Sequence, residues 1–218
     1  MSDRGTLDAT HFRALFEPRG VVVAGASSHP GKFGFVALHN ILSQGYAGAV
    51  YATNREGGTI LGIDTVAGID DLPPDAAVDL AFVCTPAVAN PELLRACARR
   101  GIKAAFITSA GYGEAGDDGR IAERALIDLA RELDILLAGP NGQGVVSTPA
   151  HLCAQIVAPY PPAGAIGVAS QSGNFVSSFL NYAVQTGIGI SRAVSAGNAA
   201  MTTVADYLDF YADRKSVV

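Results

Sequence analysis

Short apolar runs of strand length alternate with segments of helical period along most of this chain. Five of the runs are mostly continuous in apolar residues, at 20–24, 49–52, 78–84, 103–108 and 135–138. Apolar residues recur at helical spacing between them, at 35–42, 91–100 and 118–133. Strands with continuous apolar runs are typical of a parallel sheet that helices cover on both faces. The alternation therefore predicts an α/β domain with a doubly wound parallel sheet.

The pattern is interrupted near residue 149 and then resumes. Four prolines within 149–162 predict an irregular connection. Strands are then expected at 165–169 and 188–195, helices at 174–185 and 202–211, and the start of another strand at 216–218. We therefore expect a first domain at 1–150, a linker at 151–163 and the first part of a second α/β domain at 164–218.

Composition narrows the classes of partner. The 218 residues carry a net charge of −5, which argues against a general binder of nucleic-acid backbones. The chain shows no apolar run of about 18 residues that would suit a membrane helix, and no signal-peptide pattern. Its three cysteines are irregularly spaced and have no Cys/His cluster beside them, so we expect no metal site. These features predict a soluble, cytoplasmic protein without nucleic-acid or membrane partners.

The sharpest local motif is Gly-Ala-Ser-Ser-His-Pro-Gly-Lys-Phe-Gly at 25–34, between the first strand and the first helix. Small residues there let backbone N–H groups approach a phosphate at a helix N-terminus. Phenylalanine after Lys32 excludes a Walker loop. A dinucleotide fold should end its second strand with a ribose-binding carboxylate, but this chain has Thr53, Asn54 and Arg55 there. A cation at that point suits an extra phosphate on a nucleotide ribose. The alternative for the motif at 25–34 is a glycine-rich turn that binds no ligand.

Two further motifs follow later strands. Gly-Pro-Asn-Gly-Gln-Gly at 139–144 lies where open α/β folds bind ligands, although a tight turn explains it equally well. Ser-Gln-Ser-Gly at 170–173 precedes a helix and offers an anion site, or plain N-capping by Ser172. A hydrolase nucleophile at Ser172 is disfavoured because Asn174 breaks the required pattern and no histidine follows His151.

Together these motifs resemble the NDP-forming acyl-CoA synthetases, the family of ADP-forming acetate–CoA ligase and the succinyl-CoA synthetase α subunit. The likeness extends to Val-Asp-Leu-Ala at 78–81, Thr-Pro at 85–86, Ile-Thr-Ser-Ala-Gly at 107–111 and Ser-Ala-Gly-Asn at 195–198. The resemblance implies a Rossmann-type CoA-binding domain followed by a flavodoxin-like domain. It also implies coenzyme A or acyl-CoA as ligand and an ATP-grasp domain or subunit as partner. Assembly of the chain into a homo-oligomer is compatible with the resemblance.

The resemblance also implies residue roles. The loop at 27–30 would contact the CoA pyrophosphate, Arg55 a CoA phosphate, and the segment at 108–110 the adenosine or pantetheine. The loop at 170–173 resembles the element that receives the phosphate of a phosphohistidine. The implied CoA-binding residues are Gly25, Ser27, Ser28, His29, Pro30, Lys32, Arg55, Thr85, Pro86, Thr108, Ser109 and Ala110. The implied catalytic residues are Asn141, Ser170, Gln171, Ser172 and Gly173.

The chain departs from the family pattern in two ways. Gly142 and Gln143 stand where the family often has cysteine or serine. The family's phosphohistidine follows its Ser-Ala-Gly-Asn segment, and no histidine of this chain matches it: His11, His29, His39 and His151. We therefore predict the CoA-binding portion of an NDP-forming acyl-CoA synthetase. The alternative is a regulatory CoA-sensing module of a larger protein such as an acetyltransferase, and an NAD-dependent dehydrogenase is disfavoured.

Overall fold

The computed structural model describes residues 7–157 and 159–213, which contain two β-sheets. The strands of the first sheet are β1 (Gly20–Ala24), β2 (Ala49–Thr53), β3 (Thr59–Ile60), β4 (Ile63–Val66), β5 (Leu80–Val83), β6 (Ala104–Ile107) and β7 (Leu136–Ala138). Their order is β3-β4-β2-β1-β5-β6-β7, and every neighbouring pair is parallel except β3 with β4. The prediction of an α/β fold with a doubly wound, mainly parallel sheet is confirmed.

Helices cover both faces of this sheet. Helices α1 (Ala9–Phe16) and α2 (Phe33–Ser43) pack on one face, and α3 (Asn90–Arg99) and α4 (Asp117–Glu132) pack on the other. Helices α5 (Gly173–Thr186) and α6 (Val204–Asp213) pack against the second sheet. Side chains of β1 alternate between two cores: Val21 packs with Leu38 of α2, and Val22 packs with Leu94 of α3. Because both faces of β1 are covered, all of its residues are buried. Among the described helices, none has both the length and the apolarity needed to cross a bilayer.

The second sheet has four strands in the order β10-β11-β8-β9. They are β8 (Gly144–Ser147), β9 (Leu152–Gln155), β10 (Ala163–Ser170) and β11 (Ile190–Ser195). Strands β10 and β11 are parallel and joined through α5, whereas β8 and β9 form an antiparallel hairpin whose β8 pairs with β11. The hairpin therefore belongs to the second sheet, although β8 precedes the predicted linker at 151–163 and β9 lies within it.

The prediction of an irregular connection over 149–162 is wrong in its first half, where β9 forms, whereas the described residues 156–157 and 159–162 belong to no helix or strand. Pro149 lies in a short 3-10 turn, Thr148–Ala150, that joins β8 to β9. Leu152, Cys153 and Ala154 of β9 are buried, and this burial stabilises the strand despite the prolines that follow it. The domain boundaries at 1–150 and 164–218 stay a prediction, and the strand expected at 216–218 lies outside the described residues.

Helix α1 joins the two sheets. The Phe12 ring stacks on Phe210 of α6 with 5.5 Å between centroids, and it meets Tyr207 edge-on at 5.8 Å. At the end of α1, Glu17 Oε1 accepts a hydrogen bond from Nη2 of Arg192 on β11 at 2.5 Å. Arg192 is only 5% exposed, and its guanidinium carbon lies 5.7 Å from the ring centroid of Phe210. The two sheets therefore share one continuous core.

Candidate functional site

A cavity of about 690 Å³ opens at the carboxyl ends of β1, β2 and β5. The chain runs from β1 to β2 on one side and reaches β5 on the other, which is the switch point where open α/β folds bind ligands. Five of the predicted CoA-binding residues line this cavity: Gly25, Ser27, Arg55, Thr85 and Pro86. This larger cavity therefore brings together residues far apart in the sequence.

Glycines let helix α2 approach the loop at 25–34. A Cβ on Gly34 would lie 2.1 Å from the carbonyl oxygen of Gly25, so a side chain there would force the backbones apart. Gly25 itself has a φ of +82°, a left-handed conformation that favours glycine. The Ser27 hydroxyl accepts the His29 N–H at 3.1 Å and shapes the loop between them. Four predicted ligand residues in this loop are exposed and outside the lining of the larger cavity: Ser28, His29, Pro30 and Lys32.

The end of β2 fixes the same loop. Thr53 Oγ1 accepts the Gly25 N–H at 3.2 Å, and Asn54 Nδ2 donates to the Ala26 carbonyl at 3.0 Å. Asn54 Oδ1 also accepts the Glu56 N–H at 2.8 Å, which turns the chain after the strand. This turn leaves Arg55 exposed on the rim of the larger cavity.

The opposite wall of the larger cavity carries charges that sequence reasoning missed. Arg99 donates to Asp70 at 2.7 and 3.0 Å and to Glu92 at 3.1 Å. The hydrogen bond from Arg99 lowers the pKa of Asp70 despite some opposing desolvation. Because Arg99 is held by two carboxylates, Arg55 is the better placed of the two cations to meet a phosphate.

A cysteine also lines the larger cavity without being a nucleophile. Burial raises the pKa of Cys84 to about 12, against a weaker opposing hydrogen bond from Thr108. The thiolate is the reactive form of cysteine, so burial disfavours the reactive form of this thiol. Within the described residues, no group of three or more histidine, cysteine or acidic side chains has the arrangement of a metal site.

A smaller cavity of about 570 Å³ lies where the two sheets meet. Its lining includes four of the predicted catalytic residues and one predicted CoA-binding residue: Asn141, Gln171, Ser172, Gly173 and Thr108. Ser172 Oγ accepts the Phe175 N–H at 3.3 Å and so caps α5, whose N-terminus faces this cavity. Ser170 does not line this cavity, but its hydroxyl accepts the Ser172 N–H at 3.1 Å. The predicted CoA-binding residues Ser109 and Ala110 line neither cavity.

Two side chains that sequence reasoning left without a role hold the smaller cavity together. The Gln143 amide packs directly against Gly173: a Cβ added to Gly173 would lie only 2.4 Å from Gln143 Cδ. Asn198 Nδ2 lies 2.6 Å from Glu114 Oε2 and 2.6 Å from Glu123 Oε2, which ties the loop after β11 to the first sheet. Burial raises the pKa of Glu114, but hydrogen bonds from Asn198 and from backbone N–H groups outweigh it and hold the pKa below its ordinary value.

Comparison with known proteins matches both parts of the chain. Residues 19–148 match the family described as CoA binding domain, and residues 163–217 match the succinyl-CoA ligase like flavodoxin domain. The chain is similar to the acetate–CoA ligase [ADP-forming] I subunit alpha of Pyrococcus furiosus, with 36% identity over 92% of this chain. It is similar to acetate–CoA ligase [ADP-forming] I of Archaeoglobus fulgidus, with 35% identity over 91% of this chain.

A solved structure gives the same result. The dinucleotide forming acetyl-coenzyme A synthetase 1 of Ca. Korarchaeum cryptofilum, in complex with phosphate and ADP, superposes with a TM-score of 0.87 at 32% identity over 93% of this chain. This chain covers 43% of that protein, 44% of the Pyrococcus subunit and 28% of the Archaeoglobus ligase, so it spans less than half of each. The match over 19–148 includes the loop and strand ends that form the larger cavity. The chain belongs to the CoA-binding domain family, and the predicted resemblance to the NDP-forming acyl-CoA synthetases is confirmed.

Proposed function

We propose that this chain is the CoA-binding portion of an NDP-forming acyl-CoA synthetase, which joins an acid to CoA with cleavage of NTP to NDP and phosphate. The observation that carries the proposal is the pairing of the two cavities at one edge of the first sheet. Thr85 of the larger cavity follows β5, and Thr108 of the smaller one follows the neighbouring strand β6. Such a pairing suits a reaction in which a bound thiol meets an acyl phosphate.

The larger cavity supports CoA as its ligand on chemical grounds. CoA carries a pyrophosphate and a ribose 3′-phosphate, and both need hydrogen-bond donors. The N–H groups of Gly25 and Ala26 already donate to Thr53, so the loop at 25–34 offers the larger cavity the N–H of Ser27. Arg55 supplies a guanidinium on the rim of the same cavity. A ribose hydroxyl pair, as in NAD, would instead need an acceptor at the position of Arg55.

The smaller cavity supports a phosphate as its ligand. The first N–H groups of α5 have no partner inside the helix and carry a partial positive charge. In the proposed reaction they stabilise a phosphate delivered from a histidine outside this chain, with an ATP-grasp domain or subunit as partner. Because the relatives named above are ligases and synthetases, a regulatory CoA-sensing module is not favoured.

The isolated chain is expected to bind CoA and to form no acyl-CoA from an acid, CoA and ATP or GTP. The reason is that none of its four histidines matches the phosphate carrier of the family. Calorimetric titration with CoA measures the first result, and a ligase assay against a no-enzyme control measures the second. A chain that binds NADH but no CoA would contradict the proposal, and clear turnover would show that a phosphate carrier is present after all.

Ser172→Ala is expected to leave the CoA dissociation constant within about twofold of the original value, because Ser172 lines the smaller cavity only. The same substitution removes the cap of α5 and is expected to lower the free energy of unfolding by about 1 kcal/mol. Calorimetry measures the first effect and urea denaturation the second. A tenfold weaker CoA complex, about 1.4 kcal/mol, would mean that CoA reaches the α5 N-terminus.

A further inference from the structure

A fully buried amide links the loops that follow β5 and β6. Asn90, the first residue of α3, has no exposed surface. Its Oδ1 accepts the Thr85 hydroxyl at 3.0 Å, and its Nδ2 donates to Ser109 Oγ at 3.1 Å and to the Tyr112 hydroxyl oxygen at 2.8 Å. Thr85 lines the larger cavity, so the Asn90 amide contacts a lining residue without reaching the cavity itself.

The direction of these hydrogen bonds is fixed by a backbone carbonyl. The Tyr112 hydroxyl also lies 3.2 Å from the carbonyl oxygen of Ala87, which can only accept. Burial raises the pKa of Tyr112, so the hydroxyl keeps its proton and donates it to Ala87. The Tyr112 oxygen must then accept from Asn90, which turns the amide nitrogen toward Tyr112 and the amide oxygen toward Thr85.

The orientation of the amide determines what Thr85 offers to a ligand. The only hydroxyl hydrogen of Thr85 is donated to Asn90, so the side chain presents lone pairs to the larger cavity. We propose that Asn90 is a positioning residue that holds the Thr85 hydroxyl as a hydrogen-bond acceptor for the ligand of the larger cavity. The ligand must then meet Thr85 with an N–H or O–H donor.

The proposed function names CoA as that ligand, and this inference rests on it. CoA has suitable donors in two parts, the adenosine part with its adenine amino group and ribose 2′-hydroxyl, and the pantetheine arm with its amide N–H groups and its hydroxyl. A ligand group that only accepts, such as a phosphate oxygen, would be repelled by the Thr85 lone pairs. Thr85 therefore selects against a phosphate at its own position, whereas Arg55 across the cavity attracts one.

A double-mutant cycle with Thr85→Val and Asn90→Leu tests the inference. Both substitutions keep the approximate shape of the side chain and remove its hydrogen-bonding atoms. Each is expected to weaken CoA binding roughly tenfold in calorimetry, the effect of one hydrogen bond. In the Thr85→Val background, Asn90→Leu is expected to add less than a twofold loss, because the acceptor it positions is already gone. Losses that multiply in the double variant would mean that Asn90 acts on the fold in general, and would overturn the inference.

Tyr46→Phe is the matched control, because it removes a partly buried hydroxyl that donates to the Pro18 carbonyl at 2.7 Å and lines neither cavity. It is expected to reduce stability to urea and to keep the CoA affinity. If Asn90→Leu does not fold, the CoA dissociation constant of Thr85→Val alone is the test. An unchanged CoA affinity in Thr85→Val would overturn the inference. Adenosine 3′,5′-bisphosphate locates the donor: an equal loss for this ligand assigns it to the adenosine part, and a loss for CoA only assigns it to the pantetheine arm. A wild-type chain that fails to bind CoA would contradict the proposed function and this inference with it.

Discussion

Arg55→Ala is expected to weaken CoA binding by about 1.5–3 kcal/mol, roughly a tenfold to 150-fold rise in the dissociation constant. Arg55 lies exposed on the rim of the larger cavity, and its guanidinium has no hydrogen-bond acceptor among residues 7–157 and 159–213. A guanidinium donates to a phosphate and cannot accept from a ribose hydroxyl. Dephospho-CoA lacks the 3′-phosphate, so it is expected to bind less tightly and to be nearly indifferent to the substitution.

Two proteins and two ligands, titrated at one salt concentration, measure this effect. Arg124→Ala is the matched control, since Arg124 is an exposed arginine on α4 that lines neither cavity. Equal losses for CoA and dephospho-CoA would remove the assignment of Arg55 to the 3′-phosphate. A loss well under 1 kcal/mol for CoA would identify Arg55 as a solvated loop cation.

Glu17→Ala is expected to lower the free energy of unfolding by about 2 kcal/mol, less than for a fully buried pair because the Glu17 side chain is 32% exposed. The substitution removes the carboxylate 2.5 Å from the Arg192 guanidinium, which is nearly fully buried between α1 and α6. Removal of one member of a buried ion pair leaves the other charge poorly solvated. Urea denaturation followed by circular dichroism measures the loss.

Asp128→Ala is the matched control for that experiment. Asp128 pairs with Arg131 at 3.5 Å on the exposed surface of α4, and its loss is expected to cost less than about 1 kcal/mol. The double variant Glu17→Ala with Arg192→Met replaces the pair by apolar groups and is expected to recover much of the lost stability. A Glu17→Ala variant that loses no more than the Asp128 control would show that the buried charge does not need this carboxylate.

The central strands of the first sheet were predictable because burial on both faces leaves a continuous apolar run. The prediction at 20–24 matches β1, and the runs at 78–84 and 103–108 contain β5 and β6. Strands β3 and β4 escaped prediction because two and four residues are too few to show a period. The hairpin of β8 and β9 escaped because its pairing with β11 joins segments about fifty residues apart, and the prolines nearby favoured an irregular segment.

Where one segment carries a pattern, the sequence pointed to residues that share a cavity: Gly25, Ser27 and Arg55 all line the larger cavity, and their roles stay predictions. Asn90 was missed, although it lies four and seven residues before Leu94 and Cys97 and therefore on the buried face of α3. A polar residue at such a position is the signal that could have identified it. The contact of Asn198 with Glu114 spans 84 residues, and no local pattern predicts such a pairing.

The hairpin of β8 and β9 also has a consequence for how genes of this kind recombine. Strand β8 completes the second sheet against β11, while the side chain of Asn40 on α2 donates to the Gln155 carbonyl at the end of β9 at 2.8 Å. A crossover near residue 150 would pair a β8 and a β9 from different parents, and one near residue 140 would pair α2 with a β9 from the other parent. A crossover within residues 20–195 is therefore expected to lower the stability of a chimera of related proteins.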